Sequence, residues 1–381
     1  MTELLTESDV VIVGGGPAGL AAAIAARRRG LSVTVADAAT MPIDKACGEG
    51  LMPEGIEALN QLGVAPGAEE SFAFGGIRFI DGDLIAQAHF DGAMGVGMRR
   101  TVLHRLLAQR ARDLGVAIHW RTPVRWISAD GVRLGDRVLR ARWIIGADGQ
   151  HSRVRRWAGL NPVWSSNPRV GIRMHFRRAP WTDFVEVHWH RNCQAYVTPV
   201  AADQVCVALI GNRKVPPRMT ELWSSFPALA DRLEGAAPID SVRGATSVST
   251  RLRSVVRAPV VLIGDASGSV DAITGEGLSM ALRQALVLGD ALADDALGRY
   301  QAAHRQITRM PRLMARLILM MDGRPTLRRT ALRALAARPQ LFSRLLAAHV
   351  GALAPSAVAL EVAGLAGWTL LATALARFTA F

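Results

Sequence analysis

The stretch Asp9-Val-Val-Ile-Val-Gly14-Gly-Gly16-Pro17-Ala18-Gly19, continued by Leu20-Ala-Ala-Ala-Ile-Ala-Ala26, predicts a buried strand, a tight turn and a helix in direct succession. Gly14 permits the turn, Gly16 lets the backbone approach a pyrophosphate, and Gly19 lets the helix pack closely on the strand. The N-terminus of the helix presents free N–H groups to an anion. The pattern therefore predicts a dinucleotide site.

An acidic residue follows the second predicted strand at the spacing that such a site needs. The run Ser32-Val-Thr-Val-Ala36 ends at Asp37, eighteen residues beyond Gly19. A carboxylate there accepts hydrogen bonds from an adenosine ribose and favours an unphosphorylated ribose. The sequence thus predicts FAD or NAD.

Composition excludes several classes of protein. The chain has 381 residues, of which 50% are hydrophobic and 20% charged, which excludes a disordered or fibrous chain. Its three cysteines, Cys47, Cys193 and Cys206, show no Cys-x-x-Cys spacing, so we expect a reducing compartment and no metal site. Three acids and no basic segment precede the first apolar run, which predicts a cytoplasmic protein.

Positive charge is concentrated near the C-terminus. The net charge is +13, and residues 299–381 hold twelve arginines against Asp322 and Glu361, which gives +10 and leaves +3 for the rest. Since 43 of the 45 basic residues are arginine, the bias is as consistent with genome composition as with function. No nucleic-acid-binding motif accompanies the charge, and we expect no nucleic-acid partner.

Two later segments repeat the pattern of a buried strand followed by a glycine turn. Trp143-Ile-Ile-Gly-Ala-Asp148-Gly149 is the first, and Pro259-Val-Val-Leu-Ile-Gly264-Asp265 is the second. The second continues to Gly275-Glu276-Gly277, where a helix is predicted to begin.

Together these motifs resemble the flavoprotein superfamily that contains the aromatic hydroxylases (group A flavin monooxygenases), the geranylgeranyl reductases and the flavin-dependent halogenases. The likeness covers about the first 295 residues. It implies FAD as cofactor, NAD(P)H as reductant and a flavin site built from Gly14, Gly16, Pro17, Ala18, Gly19, Asp37, Lys45, Cys47, Gly48, Arg100, Asp148, Gly149, Asp265, Gly275, Glu276 and Gly277. In that resemblance Arg100 reaches the FAD phosphates or the adjoining sugar, and Asp265 binds the ribityl chain. The helix after Gly275 points its positive end at the flavin N1 and O2 edge.

The loop Lys45-Ala-Cys47-Gly48-Glu49-Gly50-Leu51 and the Thr274-Gly275-Glu276-Gly277 turn look more like the reductase branch than the hydroxylases. Halogenases use a catalytic lysine and a Trp-x-Trp-x-Ile-Pro segment, and the absence of this segment argues against halogenation. Lys45 and Cys47 are the candidate catalytic residues. The alternative is a solvated lysine and a small buried cysteine.

Residues 165–255 alternate in the manner of strands at hairpin spacing, which predicts a mainly antiparallel sheet. By resemblance this sheet floors the substrate pocket, with His188, Trp189 and Tyr196 as candidate substrate contacts. An aromatic residue on a strand also packs into cores, so that alternative stays open.

The predicted fold is therefore α/β, with a Rossmann-like FAD-binding domain, an inserted mainly antiparallel β-sheet substrate domain and a helical C-terminal region. We assign residues 1–75, 95–164 and 256–298 to the FAD-binding domain, 76–94 and 165–255 to the substrate domain, and 299–381 to the basic and apolar C-terminal region.

The C-terminal region allows three interpretations. Arginines at 305, 309, 312 and 316 recur at helical spacing among apolar residues, which predicts an amphipathic helix with a basic stripe. The stripe can associate peripherally with an anionic membrane at the inner face, and the segment can equally pack on the body or on a second copy. A span through residues 345–376 is disfavoured by Pro355 and Glu361.

For the reaction, the leading hypothesis is an FAD-dependent, NAD(P)H-consuming monooxygenase acting on a lipophilic aromatic or polyketide-type molecule. The alternative is a reductase that saturates prenyl double bonds. A third, non-enzymatic interpretation is a flavin-loaded scaffold or electron carrier. Because the cofactor supplies the chemistry in either enzyme, the sequence need not contain a hydrolytic triad or a carboxylate pair.

Overall fold

A computed structural model describes residues 7–358 and Gly364, apart from residues 136, 192, 213–217 and 221–223. The helices of this part, α1 to α9 in chain order, are Pro17–Arg28, Pro53–Gln61, Arg100–Asp113, Arg153–Trp157, Pro227–Leu233, Gly277–Ala293, Leu297–Asp322, Pro325–Ala337 and Pro339–His349. The strands, β1 to β21, are Glu7–Val13, Val33–Ala36, Gly50–Leu51, Phe72–Phe74, Gly76–Asp81, Leu84–His89, Gly95–Gly97, Ala117–His119, Val124–Ser128, Gly131–Leu134, Arg137–Gly146, Pro162–Ser165, Arg169–Arg177, Phe184–Trp189, Cys193–Ala201, Gln204–Asn212, Ala237–Pro238, Arg243–Ser247, Thr250–Leu252, Val256–Arg257 and Val260–Leu262.

The first sheet has a parallel core in the order β21, β11, β1, β2 and β8. Its central strand β1 is buried on both faces because helices cover the sheet, and the apolar run of the sequence matches that environment. Helices α1 and α6 pack against each other over this sheet. The carboxyl ends of β1, β2 and β21 thus bring Gly14, Asp37 and Asp265 to one edge.

Two glycines of the first turn explain how closely α1 lies on this sheet. A Cβ on Gly19 would lie 1.9 Å from the carbonyl oxygen of Gly14. A Cβ on Gly14, whose φ is +114°, would lie 2.4 Å from the carbonyl oxygen of Ala147. Only glycine fits at either position.

The second sheet is mainly antiparallel and follows the order β17, β13, β16, β15, β14, β5 and β6. Residues 76–89 join it through the pairing of β5 with β14. Helices α8 and α9 pack on β6, and their apolar residues form one core with the face of this sheet. The mixed α/β architecture with a helical C-terminal region confirms the predicted fold class. The residue boundaries of the domains stay a prediction.

The C-terminal helices are attached to the body of the protein. Helix α7 buries Tyr300, His304 and Ile307. On α8, the buried guanidinium of Arg328 forms an ion pair with Asp81, at 2.9 Å. Among the described residues, no helix combines the length and the apolarity that a membrane crossing requires. Most of residues 345–376, for which the sequence left burial and membrane contact open, lie outside the described residues.

Two buried histidines predict a loss of stability in acid. Burial lowers the pKa of His304 to about 4 and the pKa of His349 to about 4. The unfolded chain, with a histidine pKa near 6.5, therefore binds protons that the folded protein does not bind between these pH values. We expect the free energy of unfolding to fall as the pH drops from about 6.5 to 4, by on the order of 2–3 kcal/mol for His304. Urea unfolding at several pH values checks this.

Replacement of His304 isolates its contribution, because other buried groups also titrate. A His304→Gln variant should show a weaker decline of the free energy of unfolding in acid than the wild type. His151→Gln, at an exposed position, is the control and should leave the slope unchanged. Equal slopes for all three proteins would contradict the assignment.

Candidate functional site

The first turn and the acid that follows β2 lie side by side. Gly16 is the N-cap of α1, and Pro17 occupies its first turn. The backbone N–H of Gly15 donates to Oδ2 of Asp37 at 2.6 Å, and the N–H of Ala39 donates to Oδ1 at 2.7 Å. These bonds fix the carboxylate next to the turn. Each oxygen keeps a second acceptor position for a ribose hydroxyl.

Five of the predicted site glycines border open space. A Cβ added at any of these glycines would meet no atom within 4 Å. The five are Gly16, Gly48, Gly149, Gly275 and Gly277. Gly14 and Gly19, by contrast, are closed by protein atoms. The open glycines come from four separate loops around the carboxyl edge of the first sheet. This arrangement fits an extended cofactor such as FAD, because backbone N–H groups on several loops are accessible to it.

Asp265 and Lys45 connect two of these loops. Nζ of Lys45 lies 3.6 Å from Oδ2 of Asp265, and both side chains are more than 40% exposed. Lys45 therefore has a partner on the predicted ribityl-binding loop instead of being wholly solvated. Given this exposure, the pair contributes little to stability, and its position is the informative feature.

Cys47 follows in the same loop and is partly buried. Its Sγ accepts a hydrogen bond from the N–H of Glu49 at 3.4 Å, and its carbonyl oxygen accepts from Sγ of Cys206 at 3.8 Å. The loop is thereby held against the second sheet. The structure places the Lys45 side chain against Asp265, and Cys47 and Gly48 follow in the same loop, whose role at the flavin stays a prediction.

The turn before α6 is supported from behind by a residue predicted as a substrate contact. Oη of Tyr196 donates to the carbonyl oxygen of Ile273 at 2.8 Å. Gly275, with φ +70°, then directs the chain into α6 at Gly277. Tyr196 is buried, and burial raises its pKa, so its hydroxyl is a permanent donor to this turn.

Glu276, at the N-cap of α6, is buried beside Glu54. Burial and the neighbouring Glu54 raise the pKa of Glu276 well above its usual value, and burial raises the pKa of Glu54 to about 7. Nε2 of His349 lies 3.5 Å from Oε2 of Glu276. Burial therefore disfavours the charged form of Glu276, the form that would oppose the positive end of α6.

Asp148 binds the N-terminus of helix α4, which follows it. Its carboxylate accepts hydrogen bonds from Oγ of Ser152, at 2.5 Å, and from the N–H groups of Arg153 and Val154. Gly149, with φ +78°, makes the bend between the acid and the helix. The Asp-Gly pair thus shapes this loop, while Gly149 faces the open space.

Sequence reasoning missed a buried ionic network behind the Lys45 loop. Oε2 of Glu49 lies 2.5 Å from Nε2 of His175, whose Nδ1 lies 2.7 Å from Oδ2 of Asp240. Arg173 binds Asp240 at 2.6 Å and also binds Asp44. Glu49 has the unusual φ of +61°. The network therefore holds a strained residue of the flavin loop against β13.

This network also reaches the predicted phosphate-contacting arginine. Oε1 of Glu49 accepts a hydrogen bond from the backbone N–H of Arg100, at the start of α3, at 2.9 Å. Glu49, His175 and Cys206 have ligand atoms within 4.8 Å of one another. Both ring nitrogens of His175 already face carboxylates, and burial raises the pKa of the Cys206 thiol. Hydrogen bonding accounts for the cluster, so we do not assign it a metal.

The other two predicted substrate contacts lie in the core. Nε2 of His188 faces Oε2 of Glu186 at 3.1 Å. Trp189 packs on Phe79, and the guanidinium of Arg328 lies over its ring. The structure does not bring His188 or Trp189 together with the flavin loops, and a role for them in substrate binding stays a prediction.

The chain is similar to known proteins over most of its length. The model of the FAD binding domain family matches residues 7–304. The menaquinone reductase of Mycobacterium tuberculosis (strain ATCC 25618 / H37Rv) is 27% identical over 323 residues, covering 77% of this chain and 78% of that protein. The digeranylgeranylglycerophospholipid reductase of Methanocaldococcus jannaschii is 26% identical over 313 residues, covering 76% of this chain and 78% of that protein.

A solved structure with the same fold is pqsL of Pseudomonas aeruginosa, described as a probable FAD-dependent monooxygenase. It superposes with a TM-score of 0.73 at 22% identity, covering 86% of this chain and 99% of that one. At this identity the likeness shows a shared fold. The two sequence relatives described here are both named as reductases.

Proposed function

We propose, because the chain belongs to the FAD binding domain family and is an FAD-dependent oxidoreductase, that it reduces a carbon–carbon double bond of a lipophilic, prenyl-type molecule. The family confirms the predicted resemblance and the predicted cofactor. The reaction, the substrate class and NAD(P)H as the reductant are the parts that we propose.

The residues described above provide the binding groups for the cofactor, which supplies hydride when it is bound in its reduced form. We assign the pyrophosphate to the N–H groups that start α1 beside Gly16, and the adenosine ribose to Asp37. Arg100 would contact the phosphates or the adjoining sugar, and Asp265 would contact the ribityl chain. The N-terminus of α6 would stabilise negative charge on the flavin edge, and the raised pKa of Glu276 disfavours a carboxylate that would oppose this effect.

The observation that carries the reductase proposal is the ion pair between Lys45 and Asp265. It brings the Lys-x-Cys-Gly loop, the segment that resembles the reductase branch, to the acid assigned to the ribityl chain. The two reductases related by sequence support the same reaction class.

Saturation of a double bond needs a hydride on one carbon and a proton on the other. Cys47 lies in this loop and is partly exposed. We assign the proton to Sγ of Cys47, which solvent then protonates again. The carbon–carbon π bond would be lost and two carbon–hydrogen bonds would form, with NAD(P)H as the reductant and Cys47 as the source of the proton.

Hydroxylation is the second candidate, and the shared fold with a protein described as a probable monooxygenase favours it. A product analysis separates the two. With menaquinone or digeranylgeranylglycerophospholipid as the probe and NADPH or NADH as the reductant, we expect a product with two added hydrogen atoms on its prenyl chain when oxygen is absent. A product with an added oxygen atom, formed only in air, would overturn the reductase proposal.

A Lys45→Ala variant tests the role of the loop. We expect it to keep its FAD, because Lys45 supplies only one exposed contact, and to slow flavin reduction or reoxidation at least about tenfold, since a cation near the flavin is lost. Stopped-flow absorbance measures both half-reactions. Arg29→Ala, which removes an exposed pair with Asp290, is the matched control and should behave like the wild type. Unchanged rates in Lys45→Ala would make Lys45 a surface residue without function.

A further inference from the structure

Six arginines form a continuous basic surface without acidic partners. We call this surface the arginine face, and it consists of Arg251 and Arg253 at β19 with Arg305, Arg309, Arg312 and Arg316 on α7. Nη2 of Arg305 donates to the carbonyl oxygen of Arg253 at 3.5 Å, which joins the two elements. Five of the six side chains are exposed, and Arg312 is half-buried.

Charge on the arginine face is uncompensated. No ion pair links any of the six to a carboxylate within the described part of the chain. Burial, with Arg251 and Arg316 nearby, lowers the pKa of Arg312. Elsewhere, Arg29, Arg99, Arg142 and Arg328 each pair with an aspartate. Clustered guanidinium groups repel one another, so this face is suited to an anionic partner.

Apolar side chains protrude beside these charges. Strand β12 pairs with β19 in a separate two-stranded ribbon, and Trp164 lies opposite Arg251. Val163 and Trp164 are each 55% exposed, and Leu313 of α7 is 43% exposed. Tryptophan flanked by arginine is typical of protein surfaces at the membrane interface.

We propose that the arginine face docks this protein peripherally on a bilayer that contains acidic lipids, with Trp164 entering the headgroup region. The sequence had left membrane contact open for the α7 arginines and for residues 345–376. The fold adds Arg251, Arg253 and the aromatic ribbon, and it shows that the apolar side of α7 is already used against the body. A bilayer suits this surface better than a soluble phosphate, because the charges spread over two exposed elements and are bordered by apolar groups.

Vesicle flotation of the FAD-loaded full chain tests the proposal without any turnover. We expect binding to vesicles of phosphatidylcholine with phosphatidylglycerol at low salt, release as salt rises, and little binding to phosphatidylcholine alone. A double variant Arg251→Glu with Arg316→Glu should bind at least about tenfold more weakly, because two positive charges become negative and the net charge of the face falls by four units. Trp164→Ser should bind about three- to tenfold more weakly through lost apolar contact.

The control is Arg133→Glu with Arg137→Glu, which makes the same change of charge at exposed positions on the β10–β11 hairpin. It should bind nearly as well as the wild type, and all variants should keep their FAD. Failure of the wild type to float with acidic vesicles at low salt would overturn the proposal, as would equal binding by the two double variants. A different result would be that NADPH releases the protein from vesicles and that the Arg251→Glu/Arg316→Glu variant has a raised KM for NADPH. The face would then be a nucleotide-binding site, and the membrane proposal would be wrong.

Discussion

A Gly16→Val variant is expected to purify folded but nearly free of FAD. Gly16 has φ −70° and ψ 177°, which valine adopts without strain, and a Cβ there meets no protein atom within 4 Å. The branched side chain would occupy the space through which a pyrophosphate reaches the N–H groups of α1. Loss of two such hydrogen bonds to a charged group predicts FAD binding at least about a hundredfold weaker.

Flavin absorbance relative to protein concentration measures the occupancy. Gly67→Val is the matched control, since Gly67 has φ −71° and ψ 151° and also borders open space, but lies outside the site. It should purify with as much FAD as the wild type. Asp37→Ala should also lower the occupancy. Full flavin content in both Gly16→Val and Asp37→Ala would contradict the assignment of this turn to the cofactor.

An Arg173→Met variant is expected to lose about 3–5 kcal/mol of its free energy of unfolding, because it leaves buried carboxylates without their cation. The guanidinium of Arg173 is 1% exposed and pairs with Asp44 and Asp240, with Glu49 at 3.9 Å. Urea unfolding measures the loss. Because Glu49 also binds the N–H of Arg100, FAD affinity should decline together with stability.

The control for this variant lies on the same strand. Arg177→Met removes an exposed pair with Asp203, at 3.3 Å, and should cost less than about 1 kcal/mol. Similar losses for Arg173→Met and Arg177→Met would show that the buried network does not hold the flavin loop against β13.

The cofactor loops could be predicted from the sequence because their signals are local. Gly14, Gly16 and Gly19 lie within six residues of one another, and each has a separate predicted role: the turn, room for a pyrophosphate, and close packing of the helix. The position of Asp37 can be predicted because only one helix and one strand separate it from the first turn. These parts of the site depend on short-range geometry, which a sequence pattern describes directly.

The buried network could not be predicted in this way, because its members are far apart in the chain. Glu49 and His175 are separated by 126 positions, and His175 and Asp240 by 65. One signal was present. Arg173 and His175 share a face of β13, where an alternating strand should present apolar residues to the interior.

The candidate substrate contacts show a second limit of prediction from the sequence. The resemblance made His188, Trp189 and Tyr196 candidate substrate contacts, but a strand pattern does not distinguish a pocket wall from a core. The outcome depended on partners such as Glu186, Phe79 and Ile273, which other strands and loops bring into contact. The attachment of the C-terminal helices likewise depends on a pair, Arg328 with Asp81, that is 247 positions apart.

The most direct test of the central claim is the reoxidation of the reduced protein in an anaerobic stopped-flow experiment. The wild type is first reduced with NADPH or dithionite and then mixed with menaquinone or digeranylgeranylglycerophospholipid, and the return of flavin absorbance is followed. We predict that the prenyl compound alone restores the oxidised spectrum, with formation of the saturated product, and that Cys47→Ala slows this step while keeping its FAD. A reduced flavin that stays reduced until oxygen is admitted, and then yields a hydroxylated product, would contradict the proposed reductase.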